Sequence, residues 1–480
     1  MPRRRVSLQA ADADGFTDGV RAIEAEMRLS GEFPPEVLAA AAAAVADPRL
    51  PALDRTDLPL VTIDPAGSKD LDQAVHIERL GRGFRVFYAI ADVAAFVLPG
   101  GPIDVEAHAR GETLYAPDHR ISLYPPVLSE GAASLLPDEV RPALLWTIDL
   151  DGLGEGTKVE VVRARVRSRA RLDYETVQRT LDDASADEVF VLLEQVGKLR
   201  LRREAERGGV SLPLPEQEVV VADHGWSLRY RRLLPVEQWN AQISLLTGMG
   251  CAEIMLYGEI GIVRTLPPAP HSAIARLRRT AAALHLDWRA ELDYPGFVRS
   301  LDPNTPAGAT MLSACTSLLR GAGYVAFDGG VPEHIEHAAL ASEYAHTTAP
   351  LRRLVDRYSG EIAVALCADQ DVPDWVRARL RNLPAEMGAA QQRAHEFEAA
   401  VLSLVEAGTL AGRVGESFTG VVIEVSDHHP SEGLVMLHNP AVEARVASPG
   451  GGHLPLGEEV SVRLVEADTA TRVVRFELAT

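Results

Sequence analysis

Cysteine is scarce in this chain of 480 residues: there are three, Cys251, Cys315 and Cys367. They lie far apart in apolar surroundings. That excludes a disulfide framework and a cysteine-based zinc site, and predicts reduced core thiols in a cytoplasmic protein. Any apolar run long enough to cross a bilayer is also missing. The opening Met1-Pro2-Arg3-Arg4-Arg5 is basic but has no apolar stretch behind it, so a signal peptide is not expected. Positive charge is in deficit, with 48 Lys and Arg against 68 Asp and Glu, a formal net charge of −20. Such a surface repels polyanions at long range, so binding of nucleic acid has to rest on a local basic track. What is present is a hydrophobic fraction of 46%, enough for large cores. The length suits about three domains.

The densest chemistry lies in Thr62-Ile63-Asp64-Pro65-Ala66-Gly67-Ser68-Lys69-Asp70-Leu71-Asp72-Gln73-Ala74, which places three carboxylates within nine residues. Apolar runs flank it, and the second holds a further carboxylate, Asp92. Pro65 and Gly67 predict a turn. Asp70 and Asp72 are two apart, so on an extended backbone they point the same way. With Asp64 folded back, the three would form a cluster that repels itself unless a hard cation such as Mg²⁺ sits in it. Carboxylate-held Mg²⁺ is the usual setting for metal-assisted phosphodiester hydrolysis. An ordinary solvated loop has the same composition, and the residues alone leave both readings open.

Arg163, Arg165, Arg167, Arg169 and Arg171 occupy every second position between Val161 and Leu172. On a strand they project from one face. A solvated outer face and a guanidinium track for phosphates are both compatible with that. Pro350 suits a helix start, which would put Arg352 and Arg353 in a first turn, opposing the helix dipole and suited to a phosphate. A salt bridge to Asp356 is the alternative for either arginine.

Around these stretches the spacing predicts helices over Phe16 to Met27 and Glu36 to Ala46, joined by Phe33-Pro34-Pro35. They read either as a helix-turn-helix or as a brace on the main body. Glu188 to Arg207 is a charged helix closed by Gly208-Gly209, Val236 to Tyr257 a buried one, and Ala385 to Ala407 another, ended by Gly408. Trp239 is read as core rather than as the wall of a nucleotide pocket shared with Asn240 and Gln242. His334 and His337 have no partner at metal-ligand spacing and read as structural. Residues 51–175 alternate strand-like runs with turns. After Gly412 come five short strands, near Phe418, Gly433, Val442, Val460 and Val473, which fit an OB-fold barrel.

Thr-Ile-Asp-Pro-(x)4-Asp-x-Asp-x-Ala followed by Tyr88-Ala89-Ile90-Ala91-Asp92-Val93 resembles the signature of the ribonuclease II / ribonuclease R family, the RNB exoribonucleases. Arg110-Gly111-Glu112-Thr113-Leu114-Tyr115 resembles the family's segment with an aromatic clamp. Arg202-Arg203-Glu204, Gly208-Gly209-Val210 and Leu214-Pro215-Glu216 resemble its mid-domain segment. Tyr344 to Asp356 resembles its Thr-Ser-Pro-x-Arg-Arg-Tyr-x-Asp motif, with Ala349 for Ser and Leu354 for Tyr. The resemblance implies an α+β multidomain fold: a helical segment over 1–52, an RNB catalytic domain over 53–410, and an S1-type OB-fold RNA-binding domain over 411–480. Family members usually carry cold-shock barrels at the start, for which this chain has too few residues before Asp64.

The activity implied is hydrolytic 3′→5′ degradation of single-stranded RNA to nucleoside 5′-monophosphates, with Mg²⁺, or Mn²⁺ in its place, by a monomer that binds no membrane. Asp64, Asp70 and Gln73 would hold metal, and Asp72 would hold a second cation or orient water. Arg352 would bind the scissile phosphate, and Glu396 falls where the family has a carboxylate near its site. Tyr115 would stack on a terminal base. Arg353 with Arg163, Arg165, Arg167 and Arg169 would contact RNA. One departure stands out: the family usually shows Asp-x-Asp-Asp, and here the last position is Gln73, which can ligate Mg²⁺ only through a neutral oxygen. The alternative is therefore an RNA-binding protein on a catalytically weakened RNB fold.

Overall fold

In the computed structural model the described residues are 14–212, 216–222, 225–437 and 439–479. Met1 to Arg5, and Leu214 and Pro215 of the mid-domain motif, lie outside the described residues. Two closed five-stranded barrels organise the chain. The first is built from β1 (Leu60–Asp64), β2 (Gln73–Leu80), β3 (Gly83–Ala91), β4 (Val140–Leu150) and β5 (Gly156–Asp173), joined in that order. It closes through a parallel pairing of β1 with β5, which sets Asp64 opposite Asp173. Alternation decides the faces of β5: Ala164, Val166 and Ser168 are buried, and the arginines between them face outward.

Helices flank the two barrels: α1 (Asp14–Glu26), α2 (Pro35–Ala46), α3 (Pro102–Arg110), α4 (Glu188–Arg207), α5 (Pro235–Tyr257), α6 (Leu354–Cys367) and α7 (Leu383–Leu410). In α5, Val236, Ile243, Leu246, Cys251 and Met255 enter the main core. Trp239 is buried there too, seated on Gly197 of α4, where an added Cβ would come within 2.3 Å of its side chain. Asn240 donates to the Tyr174 hydroxyl at 3.1 Å and Gln242 to Glu204 at 2.7 Å, so neither lines a nucleotide pocket.

The second barrel comprises β6 (Ser417–Val425), β7 (Glu432–Leu437), β8 (Glu443–Ala447), β9 (Glu459–Asp468) and β10 (Val473–Leu478). The order β6-β7-β8-β10-β9, with β8 and β10 parallel, is the OB-fold arrangement. The two N-terminal helices sit in different cores. Phe16, Val20 and Ile23 of α1 join Val401, Leu404 and the second barrel, whereas Val37 and Ala41 of α2 join the main core. Each helix braces the body separately, in place of the shared core of a helix-turn-helix.

Several expectations are corrected. Cys367 is exposed, at the end of α6. Helix α7 continues through Gly408 to Leu410 because Ala407 and Leu410 still have a core to face. Pro350 does not start a helix: α6 begins at Leu354, with Arg353 as its N-cap. No described helix is long and apolar enough to cross a membrane.

Candidate active site

The loop between β1 and β2 turns as its sequence requires, with Gly67 at φ +83° and the Ser68 N–H bonded to Pro65 O at 3.1 Å. Beyond the turn the chain is clamped. The Ser134 hydroxyl accepts from Leu71 N–H at 2.9 Å and donates to Lys69 O at 2.6 Å, while Leu71 O accepts from Leu135 N–H at 3.0 Å. Leu71 and Asp72 are consequently both buried, and the extended alternation expected for Asp70 and Asp72 is absent. The two carboxylates face different partners.

Asp72 points inward. Its Oδ1 accepts from Leu351 N–H at 2.8 Å, and its Oδ2 lies 3.5 Å from Arg352 Nε. At 3 % exposure, burial pushes its carboxyl up to about 8, against the pull of Arg352 and the Leu351 hydrogen bond, and the Asp70 and Asp356 charges add to the rise. Burial holds the Tyr88 hydroxyl protonated against its hydrogen bond with Ser244 at 2.8 Å, and the charges of Asp64 and Asp72 are among those that add to the rise.

Asp70 points to a hairpin. Leu114–Tyr115 pairs with Arg120–Ile121, so Tyr115 and Arg120 lie opposite each other. Arg120 forms an ion pair with Asp70 Oδ1 and a second with Glu130 Oε1 at 2.8 Å. The Tyr115 hydroxyl lies 3.5 Å from Asp70 Oδ2. Sequence reasoning missed Arg120, and the available signal was Pro117-Asp118, a turn pair that folds Arg120 back beside Tyr115. Gln73 opens β2, and its amide N–H donates to Thr348 O. That contact ties the acidic loop to the segment carrying Arg352.

Other expected site residues are placed elsewhere. Arg353 is buried and bidentate to Asp356, at 2.9 and 2.7 Å, so it is a structural ion pair and not an RNA contact. Arg163 pairs with Asp92 at 2.8 Å and with Glu361, and Arg165 pairs with Asp54 at 3.2 Å. Arg169 donates to Thr56 O at 2.7 Å and Arg171 to Ser68 O at 3.4 Å. The stripe thus shares one face as expected, but its Arg163 end is neutralised by acids. Glu396 is on the exposed side of α7 and accepts from Gln392 at 2.9 Å within the same helix. The opposite side, through Ala394, packs on the Tyr115 hairpin.

The donors suit a hard divalent cation: carboxylate oxygens, one of them buried with only partial counter-charge. Among the described residues, however, no group of three or more His, Cys, Asp or Glu side chains is arranged to hold a metal ion. Asp70 is turned onto Arg120, and Asp72 onto Leu351 and Arg352.

A model of the RNB domain matches residues 53–363, and one of the RNase II-type exonuclease C-terminal S1 domain matches 416–479. Ribonuclease R of Aquifex aeolicus is 25% identical over 452 residues, which is 87% of this chain and 63% of that protein. Ribonuclease R of Escherichia coli is 27% identical over an alignment of 482 positions that covers 89% of this chain and 57% of that protein. The chain thus spans 63% and 57% of the length of these two curated relatives. A structure of Mycoplasma genitalium RNase R in complex with ribose methylated single-stranded RNA shares the fold with a TM-score of 0.86 at 19% identity, over 98% of this chain and 79% of that one. Yeast Ssd1, described as a pseudonuclease, shares it with a TM-score of 0.68 at 15% identity, over 94% and 57%. With the RNB domain matched over 53–363, well over half of its residues, the chain belongs to the RNB family.

Proposed function

We propose that this protein hydrolyses single-stranded RNA from the 3′ end, with Mg²⁺ or Mn²⁺, and releases nucleoside 5′-monophosphates. The observation that carries this reading is the meeting of Asp72 and Arg352 at 3.5 Å, a buried carboxylate beside a part-exposed guanidinium. One oxygen of Asp72 is anchored by Leu351 N–H, which leaves the other to orient the attacking water. Arg352 binds the scissile phosphate and the charge that develops on it. Tyr115 stacks on a terminal base, which tolerates any sequence. Asp64, Asp70 and Asp72 would hold the divalent cation, with the Gln73 carbonyl as a neutral fourth oxygen. When bound, the cation supplies Lewis acidity for phosphodiester hydrolysis. In this division 53–410 does the chemistry, 411–480 grips RNA, 1–52 braces both, and the unit is a monomer.

The test is a 5′-labelled single-stranded RNA incubated with the protein and Mg²⁺, with and without EDTA, beside the same sequence as DNA. The expected result is an RNA-only ladder shrinking from the 3′ end and stopped by EDTA. Asp72→Asn is expected to end hydrolysis while a gel shift still shows RNA binding. Gln73 favours a second reading, an RNA-binding protein without turnover, because it offers only a neutral oxygen where the family usually has a carboxylate. Intact RNA under conditions where the wild type shifts it would support that reading and overturn the first.

A further inference from the structure

Arg120 is the cation already present among the site's carboxylates. Its guanidinium joins Asp70 to Glu130, with Nη2 and Nε at 2.8 and 3.1 Å from Glu130 Oε1. The three side chains are 23, 14 and 22 % exposed, so solvent screens their charges only in part. A guanidinium and a divalent cation cannot both hold the same carboxylate face at full strength. Among the described residues Asp70 is turned onto Arg120 rather than toward Asp72. Glu130 makes the displacement inexpensive, since Arg120 keeps two contacts there after leaving Asp70. Tyr115 is its cross-strand partner and also approaches Asp70, at 3.5 Å. A base stacked on Tyr115 would therefore lie next to the Arg120 guanidinium.

We propose that Arg120 is a built-in gate on the cation site: without RNA its guanidinium holds Asp70 in place of the divalent ion, and RNA docking on Tyr115 shifts it to Glu130 and gives Asp70 to the ion. The inference rests on the nuclease reading in taking Asp70 as a cation ligand. It makes cation and RNA binding mutually reinforcing, and linkage requires the same factor in both directions.

The experiment measures free Mn²⁺ by electron paramagnetic resonance on the full chain, with and without a single-stranded RNA whose 3′-terminal linkages are phosphorothioates to slow hydrolysis. Arg120→Gln is expected to bind Mn²⁺ about tenfold more tightly than wild type without RNA, within the usual range of site coupling. RNA is expected to tighten the wild type by a similar factor and to leave Arg120→Gln nearly unchanged. Glu130→Gln, which removes the resting place and leaves Arg120 wholly on Asp70, is expected to bind Mn²⁺ no more tightly than wild type without RNA and to lose the RNA effect. It also serves if Arg120→Gln fails to fold. Equal or weaker Mn²⁺ binding by Arg120→Gln, or an undiminished RNA effect in Glu130→Gln, overturns the gate and leaves the nuclease reading standing. No saturable Mn²⁺ binding in any form, with RNA bound, overturns both.

Discussion

Arg352 and Arg353 are neighbours in sequence, and the structure assigns them opposite consequences on mutation. Arg353 is 8 % exposed and bidentate to Asp356, which is 1 % exposed. Asp356 has one further donor in view, the Ala349 N–H at 2.7 Å. Arg353→Ala leaves that carboxylate buried with its main counter-charge gone, a change that costs about 3–5 kcal/mol. Arg352 is part-exposed, and its one charged contact is Asp72 at 3.5 Å, beyond normal hydrogen-bond length. Arg352→Ala is expected to cost less stability than Arg353→Ala, because the pair is long and the Leu351 N–H still holds Asp72, and to reduce RNA hydrolysis by about 10²–10³ as a lost transition-state contact. Urea unfolding followed by tryptophan fluorescence reads the first quantity, since Trp146 and Trp239 sit in the main core. A labelled-RNA assay well below the melting temperature reads the second. The double variant Arg353→Ala, Asp356→Ala is expected to cost less than the sum of the singles, because neither charge is then stranded. Equal stability losses for Arg352→Ala and Arg353→Ala, or a neutral Arg353→Ala, would refute the reasoning.

Three further outcomes follow from single contacts. His119 is held between Asp118 at 2.7 Å and Glu24 of α1 at 2.5 Å, and those hydrogen bonds push its pKa up to about 9 against the burial that opposes them. A raised folded pKa means this stabilisation is complete below the unfolded value of about 6.5 and is lost as pH rises through about 9. The side chain is 37% exposed, so screening reduces the effect to about 1 kcal/mol, and His119→Ala is expected to flatten the fall in melting temperature between pH 7 and 9.5. Gly111 has φ +73° and its Cβ position lies 2.4 Å from Ala390 Cβ, so Gly111→Ala is expected to cost about 2 kcal/mol or more in urea melts. Arg169→Ala is expected to weaken RNA binding and lower the salt slope of its affinity by about one, whereas Arg163→Ala, which strands Asp92 and Glu361, is expected to reduce stability and leave the slope alone.

What the sequence made legible follows from how local each signal is. Glu188–Arg207 is found to the residue because its apolar stripe and the left-handed Gly208 are both local. The five C-terminal strands are equally local, each a short apolar alternation between turns. Asp72 and Arg352 were identifiable as types, but their meeting depends on a hydrogen bond spanning 279 positions. The facing of Asp70 was misread because Ser134, 63 positions on, pulls Leu71 inward and breaks the alternation. Arg120 left no periodic signal, since its strand is two residues long. Pro350 suggested a helix start because the turn at 349–353 is short enough to resemble one: both Arg352 and Arg353 return N–H groups to Ala349 O.

The acidic balance of the chain argues against RNA binding only if its arginines are counted without their partners. Among the five in β5, Arg163 and Arg165 meet carboxylates, which cancel their charge as well as satisfying their donors. Arg169 and Arg171 meet backbone carbonyls, which satisfy donors and cancel nothing. Arg167 acts on the Asp54 charge together with Arg165, so the positive field of the strand is concentrated at its C-terminal end. That end is where β5 pairs with β1 and where Arg171 reaches Ser68, in the loop leading to Asp70 and Asp72. A net charge of −20 repels polyanions at a distance, whereas Arg169 and Arg171 are paired with carbonyls rather than carboxylates among the described residues, next to the loop that leads to Asp70 and Asp72. On the proposed nuclease reading, that distribution is expected to favour a strand threaded to the carboxylates over polyanions that merely collide with the surface.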